Sequence, residues 1–368
     1  MEIRAMIAMS GGVDSAAAAI LAIKKGYDCT GVTLRMTNDK CFGDNMDYLQ
    51  NEEDAAVICK KLGIPHKVYD VTGDFKKSVV DEFVTAYENG RTPNPCVICN
   101  KRIKFGKLFE IAVDEGYDRL ITGHYAKIEK DENGVCYLKK AEDNFKDQSY
   151  FLYGIEPEKL KMLEFPLGSM EKKEVRELAE EEGLAVSSKH DSQDICFIPD
   201  GDYAGFIMNY TGKEYKPGLF VDTEGNVKGN HKGLIHYTVG QRKGLGLALP
   251  APLYVKKKDT EANRVILCNN DELFQKTVFA DEISMLSWDS NMIRDLSKGL
   301  KVTAKIRYNH HEQPATATLV LKEDNCDRDL SQRYFLKCDF DEPQRAPAPG
   351  QSLVIYEGDI CLGGGIIM

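Results

Sequence analysis

The chain has 368 residues, of which 42% are hydrophobic and 29% charged, and its formal net charge at pH 7 is −10. A chain of this length is expected to form two or three domains, and its composition is that of a globular protein with no segment suited to crossing a membrane. Eleven scattered cysteines, an odd number behind an N-terminus too short to be a signal peptide, argue against a disulfide framework and favour a reducing cytoplasm.

The first half of the chain alternates between strand and helix patterns. Strands are predicted over residues 3–9, 28–36, 66–71 and 118–123, and helices over residues 13–26, 51–63, 75–90, 103–116 and 170–183. Strands that alternate with helices form a parallel, doubly wound sheet with helices on both faces. We therefore expect an α/β domain over residues 1–204.

From residue 205 onward the pattern changes to short strands, glycines and turns. The stretches "KGLIHYTVGQRKGLGLA" and "LYVKKKDTEANRVILC" indicate a small central β-rich linker domain over residues 205–274. Later stretches such as "VTAKIRYNHHEQPATATLVL" alternate with period two, which is typical of the strands of a closed barrel. The sequence therefore predicts a C-terminal β-barrel over residues 275–368.

The stretch "MSGGVDS" joins the first predicted strand to the first predicted helix. Gly11 and Gly12 let backbone N–H groups approach an anion, and the positive end of the helix dipole adds to the attraction. The motif lacks the lysine of a Walker A loop and the spacing of a dinucleotide-binding loop. It fits a pyrophosphate group, with Ser15 as a donor and Asp14 as a partner for Mg²⁺. It resembles the PP-loop of ATP pyrophosphatases, which adenylate a carbonyl or carboxyl oxygen.

Cys96 and Cys99 form a C-x-x-C pair within "TPNPCVICNKRIKFGKL". No second Cys or His pair with ligand spacing accompanies them, which disfavours zinc. A thioredoxin motif would follow the first strand, and the glycine loop occupies that position. Cys196 lies in the polar stretch "HDSQDICFIPDGDY", where no core period explains it, although a lone cysteine is often a small buried hydrophobe.

An enzyme that adenylates an oxygen needs a nucleophile, and a cysteine persulfide would supply sulfur for that purpose. A second cysteine would then attack the inner sulfur, release the product and leave a disulfide. Because the thiolate is the reactive form, we expect Lys101, Arg102 and Lys104 to lower the thiol pKa. Basic runs at 101–107, 255–258 and 298–311 leave RNA binding open despite the negative net charge, although each is also typical of a solvated face.

Six stretches follow one another along the chain: "MSGGVDSAAAA", "GRTPNPCVICNKRIKFGKL", "ITGHYAKI", "KDQSYFL", "KHDSQDICFI" and "HYTVGQRKGLG". In this order and spacing they resemble the tRNA-specific 2-thiouridylase family of PP-loop enzymes, over essentially the whole chain. The resemblance implies that ATP adenylates O2 of the wobble uridine and that sulfur then replaces this oxygen, giving 2-thiouridine, AMP and pyrophosphate. It further implies acceptor tRNAs for Lys, Glu and Gln, a sulfur-donor protein such as a cysteine desulfurase or relay protein, and a monomeric enzyme.

The same resemblance implies roles for individual residues. Cys99 is implied as the nucleophile and Cys196 as the persulfide carrier. The residues implied to bind ATP are Ala8, Met9, Ser10, Gly11, Gly12, Val13, Asp14, Ser15, Leu34 and Gly123. The residues implied to contact tRNA are His124, Lys146, Asp147, Gln148, Arg307, Tyr308 and Gln344.

Cys96 departs from the family pattern, in which an aspartate stands three residues before the catalytic cysteine. The departure removes a candidate acid or base. Together with Cys99 and Cys196 it also permits an iron–sulfur cluster with one open iron that binds hydrosulfide. Persulfide chemistry, a cluster and an inert Cys96 therefore all stay open.

Two other functions remain as alternatives. A PP-loop ligase or amidotransferase would not need the three cysteines or the barrel, so loss of activity in Cys99→Ser would count against it. A non-catalytic RNA-binding protein would not catalyse tRNA-dependent ATP–pyrophosphate exchange. We also expect residues 187–200 to be mobile in the free protein.

Overall fold

The computed structural model describes residues 2–37, 48–184, 195–248, 251–322 and 330–368. The chain divides into two compact units. The first comprises Met1–Val79, Cys96–Phe197 and Asp359–Leu362, and the second comprises Val80–Pro95, Ile198–Gly358 and Gly363–Met368. Most of the segment expected to be mobile, residues 187–194, lies outside the described residues.

The strands and helices are numbered in chain order over the described residues. The strands are β1 Arg4–Ala8, β2 Asp28–Arg35, β3 His66–Asp70, β4 Arg119–Ile121, β5 Lys127–Lys130, β6 Cys136–Lys139, β7 Leu163–Glu164, β8 Gly218–Asp222, β9 Val227–His231, β10 Tyr254–Asp259, β11 Arg264–Cys268, β12 Phe274–Met285, β13 Leu300–Lys305, β14 Gln313–Leu321, β15 Tyr334–Arg345, β16 Ser352–Glu357 and β17 Ile360–Ile367. The α-helices are α1 Val13–Lys24, α2 Tyr48–Leu62, α3 Thr72–Phe75, α4 Asp81–Glu88, α5 Pro95–Cys99, α6 Leu108–Asp114, α7 Ser149–Leu152, α8 Lys172–Glu181, α9 Tyr203–Thr211, α10 Ser290–Lys298 and α11 Leu330–Arg333.

The first unit contains a parallel sheet with strand order β3-β2-β1-β4-β7. Ala5, Met6 and Ile7 of the central strand β1 are fully buried, as expected for a strand covered on both faces. The chain continues from β1 to β2 on one side and returns to β4 on the other, so β1 lies where the strand order reverses. Ligands of open α/β sheets bind at the carboxyl ends of strands at this point.

Helix α1 covers the sheet beside β1. Its alanines at positions 16 to 19 are completely buried and, being small, allow close approach to the sheet, to α8 and to α2. Against α1, helix α8 buries Val175 and Ala179, which are four residues apart and so lie on one face of the helix. The core of the unit therefore lies directly under the loop that precedes α1.

Two predicted helices are less regular than expected. The helix predicted over 75–90 consists of α3, a π-helical segment Lys76–Val80 and α4. The helix predicted over 103–116 begins earlier, at α5, and continues through a π-helical segment Asn100–Lys107 into α6. Gly106 lies on the wide turn, where a Cβ would approach the Lys101 carbonyl oxygen to 3.1 Å, so glycine relieves crowding there.

The second unit contains two β structures. One is a four-stranded sheet with order β10-β11-β8-β9, which buries Phe220, Val255 and Val265. The other has order β12-β15-β14-β13-β16-β17, and the additional pairing of β12 with β17 closes it into a six-stranded barrel. The alternation of buried and exposed residues along β14 is that of a barrel wall. The expected α/β fold with a parallel sheet, a β-rich middle and a C-terminal barrel is confirmed.

The expected bounds of the three domains stay a prediction. The two compact units divide the chain differently, and residues 80–95 of the first expected domain group with the second unit. Within the part of the chain that the structure describes, no helix combines the length and the apolar character needed to cross a bilayer.

Candidate active site

The loop after β1 has the geometry of an anion-binding turn. Gly11 has a φ of +74°, and a Cβ at this position would lie 2.6 Å from the carbonyl oxygen of Asn51, so only glycine fits. Gly12 is extended and precedes the first residue of α1. The Ser15 hydroxyl donates to the Gly12 carbonyl at 2.9 Å and accepts from the Ser10 backbone N–H at 3.2 Å. The hydroxyls of Ser10 and Ser15 and the N-terminus of α1 therefore converge where a phosphate would bind.

Gly123 follows β4, the neighbour of β1 on the other side of the reversal point. A Cβ on Gly123 would lie 2.7 to 2.9 Å from backbone atoms of Asp14 and Ser15. The sheet thus brings Gly123 against the glycine loop, 108 positions along the chain from Ser15. Leu34 lies near the carboxyl end of β2 and is half-buried. The parallel sheet places the predicted ATP-binding residues at one edge.

The Asp14 carboxylate forms an ion pair with a lysine side chain in this structure. The Lys172 ammonium donates to its Oδ1 at 2.7 Å and its Oδ2 at 2.9 Å, and the Tyr125 hydroxyl donates to Oδ1 at 2.9 Å. The Lys172 side chain is only 12% exposed. Sequence reasoning missed Lys172 because it stands in the charged run "MEKKEVRELAEEEG", where nothing distinguishes it from neighbouring lysines.

A single carboxylate together with ATP phosphates is an ordinary set of ligands for Mg²⁺. Asp14 fits that role, provided that Lys172 gives up at least one of its two oxygens. Lys172 would then be available to the phosphates as a second cation. Bound Mg²⁺ would neutralise charge on the pyrophosphate group.

The cysteine pair lies on α5, three residues apart. Cys96 is exposed, whereas Cys99 is buried with 8% of its surface accessible. Desolvation raises the pKa of Cys99 to about 11 and also raises the pKa of Cys96. Cys96 is thus exposed, yet desolvation still disfavours its thiolate.

Cys196 is exposed and follows residues 185–194, which are outside the described part of the chain. Desolvation raises its pKa to about 12, and the neighbouring charges of Cys99 and Cys96 add to the increase. The Lys104 ammonium lowers the pKa of all three thiols, but by less than desolvation raises it. The net shift is opposite to the one expected from the basic run, so these thiols are protonated at neutral pH.

Cys96, Cys99 and Cys196 all lie in the first compact unit, and all three are free thiols. Even so, no three His, Cys, Asp or Glu side chains in the described ranges stand close enough together to hold a metal ion. The ligands of an iron–sulfur cluster must converge on the irons, and the cluster on Cys96, Cys99 and Cys196 stays a prediction.

His124, expected to contact tRNA, is buried. Its ring packs against Phe105 and Phe165 with centroids 5.5 and 5.8 Å away, and its Nδ1 is 2.7 Å from the Thr122 hydroxyl. Desolvation, with a smaller effect of Lys104, lowers the pKa of His124 well below its ordinary value, so the ring is neutral. Direct contact with RNA would need the covering residues to move.

The segment with Lys146, Asp147 and Gln148 is hydrogen-bonded to Tyr125, whose hydroxyl contacts Asp14. Asp147 is 7% exposed, and its carboxylate accepts from the backbone N–H groups of Ala141 and Ser149 and from the Ser149 hydroxyl. Gln148 exchanges hydrogen bonds with the backbone of Tyr125, at 2.7 and 3.0 Å. Asp147 and Gln148 shape this loop, and Lys146 is the partly exposed cation on it.

The remaining residues expected to contact tRNA belong to the second unit. The Arg307 guanidinium donates to the carbonyl oxygen of Ala346, and the Lys305 ammonium lies 5.6 Å from the ring centroid of Tyr308. Gln344 is 8% exposed and donates to the Glu342 carbonyl at 2.8 Å. Tyr308 and Arg307 are half-buried.

A parallel sheet whose reversal point carries a serine–glycine loop, with three free thiols in the same unit, defines a PP-loop nucleotide-dependent enzyme. Family models match three consecutive stretches of the chain. They are described as a tRNA methyl transferase HUP domain at residues 3–200, a tRNA methyl transferase PRC-barrel domain at 204–269 and an aminomethyltransferase beta-barrel domain at 282–367.

Relatives named tRNA-specific 2-thiouridylase MnmA match the chain from end to end. The protein from Lachnoclostridium phytofermentans is 42% identical over 99% of both chains, and that from Clostridioides difficile is 44% identical over 100% of this chain and 98% of its own. A third, MnmA 1 from Thermoanaerobacter pseudethanolicus, is 46% identical over 99% and 97%. The chain belongs to the family of tRNA-specific 2-thiouridylases.

Proposed function

We propose that this protein is a tRNA-uridine 2-sulfurtransferase that uses ATP to convert the wobble uridine to 2-thiouridine. The observation that carries the proposal is the presence, in one compact unit, of the loop Ser10–Ser15 and the three free thiols Cys96, Cys99 and Cys196. The loop is suited to binding pyrophosphate and the thiols are suited to sulfur transfer. Full-length identity of 42–46% to proteins named 2-thiouridylases supports the presence of both in one enzyme.

ATP is proposed to bind along Ala8 to Ser15, with Leu34 and Gly123 beside the nucleotide. Attack by the uridine O2 on the α-phosphorus forms an O–P bond and releases pyrophosphate. The N–H groups and hydroxyls at the start of α1 stabilise the negative charge that leaves with pyrophosphate. The oxygen on C2 then departs with AMP.

The sulfur half of the reaction is proposed to begin with a persulfide on Cys196. Its terminal sulfur attacks C2, forming the C–S bond, and AMP leaves with the former O2. The Cys99 thiolate then attacks the Cys196 sulfur, the persulfide S–S bond breaks, and its electron pair stays on the sulfur bound to C2. The products are 2-thiouridine and a Cys99–Cys196 disulfide, which a thiol reductant must reduce before the next turnover.

The proposed partners follow the family. They are tRNAs for Lys, Glu and Gln, a protein that delivers sulfane sulfur, and no second subunit. Lys146 in the first unit and Arg307 and Tyr308 in the second are proposed contacts to the RNA, since half-exposed cations and an aromatic ring suit phosphates and unstacked bases.

The test is thiolation of an unmodified tRNA transcript with ATP and a persulfide donor, together with tRNA-dependent ATP–pyrophosphate exchange. We expect Cys99→Ser and Cys196→Ser to abolish thiolation and to retain the exchange reaction. Cys136→Ser, which removes a free thiol from β6 in the same unit, is the matched control and should retain both. Undiminished thiolation by Cys99→Ser would contradict the persulfide scheme.

Iron and acid-labile sulfide in anaerobically purified protein provide a second readout. The persulfide scheme expects activity in iron-free protein. Stoichiometric iron that is lost in Cys96→Ala, with activity supported by free sulfide alone, would replace that scheme by cluster chemistry.

A further inference from the structure

Phe145 is a fully exposed aromatic side chain on the first unit. It is 96% exposed, whereas Phe274 and Phe279, the other aromatic rings among the large exposed side chains of the described residues, are 44% and 41% exposed and lie on barrel strands. A ring that is 96% exposed forgoes nearly all of the hydrophobic gain of burial. Its position therefore calls for an explanation in terms of a partner.

The backbone that carries Phe145 is held firmly. The Asp143 carboxylate accepts from the backbone N–H groups of Phe145 at 3.0 Å and Lys146 at 3.2 Å. The Lys146 N–H also donates to the Asp143 carbonyl oxygen at 3.0 Å. The exposed ring thus projects from a defined turn, which keeps the entropy cost of binding through it low.

This turn is connected to the nucleotide loop. The second carboxylate oxygen of Asp143 accepts from the backbone N–H of Lys172 at 3.3 Å, and the Lys172 ammonium binds both carboxylate oxygens of Asp14. A single residue therefore links the turn of Phe145 to the loop proposed to bind ATP. A macromolecule that delivers its reacting group to that loop would pass close to this ring.

We propose that Phe145 is a stacking platform for an unpaired base of the tRNA substrate, with Lys146 beside it for the phosphate backbone. The inference rests on the proposed function and adds a contact within it. The chemistry favours RNA over a protein partner, because the residues next to Phe145 in the chain, Asn144 and Lys146, are polar. Protein docking needs a contiguous apolar patch, whereas one nucleobase needs one aromatic face.

The test compares Phe145→Ala, Phe145→Leu and Phe145→Trp in binding and thiolation of an unmodified tRNA transcript. We expect Ala and Leu to raise the Kd and KM for tRNA by roughly 5- to 100-fold, the range for loss of one base–aromatic stack, with kcat little changed. Trp should retain wild-type affinity, because it preserves the aromatic face. Val135→Ala, at a 47% exposed position in the same unit, is the control and should leave affinity unchanged.

Full rescue by Leu would overturn the stacking proposal in favour of a simple apolar contact, and unchanged affinity in Phe145→Ala would overturn it outright. Phe145→Trp combined with Trp288→Phe, which replaces the only native tryptophan, gives a fluorescence reporter that does not depend on activity. We expect tRNA to quench it; no quenching at saturating tRNA would also overturn the proposal. Quenching in a protein that does not thiolate tRNA would refute the proposed function and keep the platform.

Discussion

At the scale of single residues, the reactivity of the thiols is decided by competition between desolvation and one cation. Desolvation is the larger effect and raises the pKa of Cys99 to about 11 and that of Cys196 to about 12, and Lys104 opposes it. A thiol with a raised pKa is mostly protonated at pH 7, because its thiolate fraction falls about tenfold for each unit that the pH lies below the pKa. The resting site is therefore poorly reactive, and substrate binding must favour the thiolate.

Replacement of Lys104 tests this balance. Lys104→Met removes the stabilising charge, so the thiol pKa should rise further and alkylation at pH 8 should slow, whereas Lys104→Arg keeps the charge and should stay near the wild-type rate. The measurement is the iodoacetamide labelling rate of the Cys96 and Cys196 peptides between pH 6 and pH 10. Identical pH profiles for the Met and Arg variants would show that Lys104 does not act through its charge.

At the scale of elements, the residues just before α5 are held by hydrogen bonds within the second compact unit. The backbone N–H of Thr92 donates to the Pro349 carbonyl at 2.7 Å, and the Gln351 amide donates to the carbonyl oxygens of Thr92 at 2.9 Å and Pro93 at 3.4 Å. Gly350 has a φ of +95°, and a Cβ there would lie 3.0 Å from the Thr92 backbone. These contacts hold residues 92 and 93 within the second compact unit, and the two residues lie just before α5 in the chain.

Loss of this anchor should impair chemistry more than nucleotide binding. Gln351→Met keeps the size of the side chain but leaves two carbonyl groups without their donor, at a cost of roughly 1–3 kcal/mol. Because a displacement of about 1 Å at a reacting group can cost on the order of 100-fold in rate, we expect thiolation kcat to fall by about 10- to 100-fold with ATP affinity unchanged. Single-turnover thiolation and equilibrium ATP binding measure the two quantities.

Gln275→Met, on an exposed position of β12, is the matched control and should behave as wild type. A positioning effect should also change the pH profile of Cys96 alkylation. A lower Tm with an unchanged alkylation profile would instead mean that Gln351 contributes only stability.

The secondary structure shows where local patterns suffice. The strands predicted at 3–9, 28–36 and 66–71 appear as β1, β2 and β3 within one residue at each end. The π-helical turns at 76–80 and 100–107 were missed, since residue spacing alone does not separate a π turn from an α turn. The helix predicted to start at Asn51 starts at Tyr48. The backbone carbonyl oxygen of Asn51 instead lies against Gly11.

At the scale of the whole molecule, the last strand belongs to both compact units. Residues Asp359–Leu362 group with the first unit, where Ile360 pairs with Lys139, and Gly363–Met368 group with the second, where β17 pairs with β12 and closes the barrel. The chain therefore depends on its final ten residues for the completion of each unit.

Truncation after Gly358 should prevent folding of the barrel, because the strands β12 and β16 would become open edges with unpaired backbone groups. We expect insoluble or noncooperatively unfolding protein, measured by soluble yield and by thermal unfolding. Removal of Met368 alone breaks one backbone hydrogen bond, to Phe279, and should lower the Tm only slightly. A truncated protein with a wild-type melting curve would contradict the role assigned to β17.

The sequence by itself determined the features that depend on near neighbours. The loop Ser10–Ser15, the α/β order of the first half and the period-two strands of the barrel depend on residues a few positions apart, so spacing alone predicted them. The same holds for the C-x-x-C pair, whose members share one helix. The family resemblance assigned the loop, the cysteine pair and the barrel to one enzyme, and the relatives confirm the family.

Only the tertiary structure decided the features that depend on distant parts of the chain. Lys172 reaches Asp14 across 158 positions, and Gln351 reaches Thr92 across 259. Lys104 lowers the thiol pKa as the basic run indicated, but the larger and opposite effect of desolvation was not visible in the sequence, because it depends on how many atoms the fold packs around a group. Burial of His124, Asp147 and Gln344 was invisible for the same reason: packing density is set by the assembled elements and leaves no local pattern.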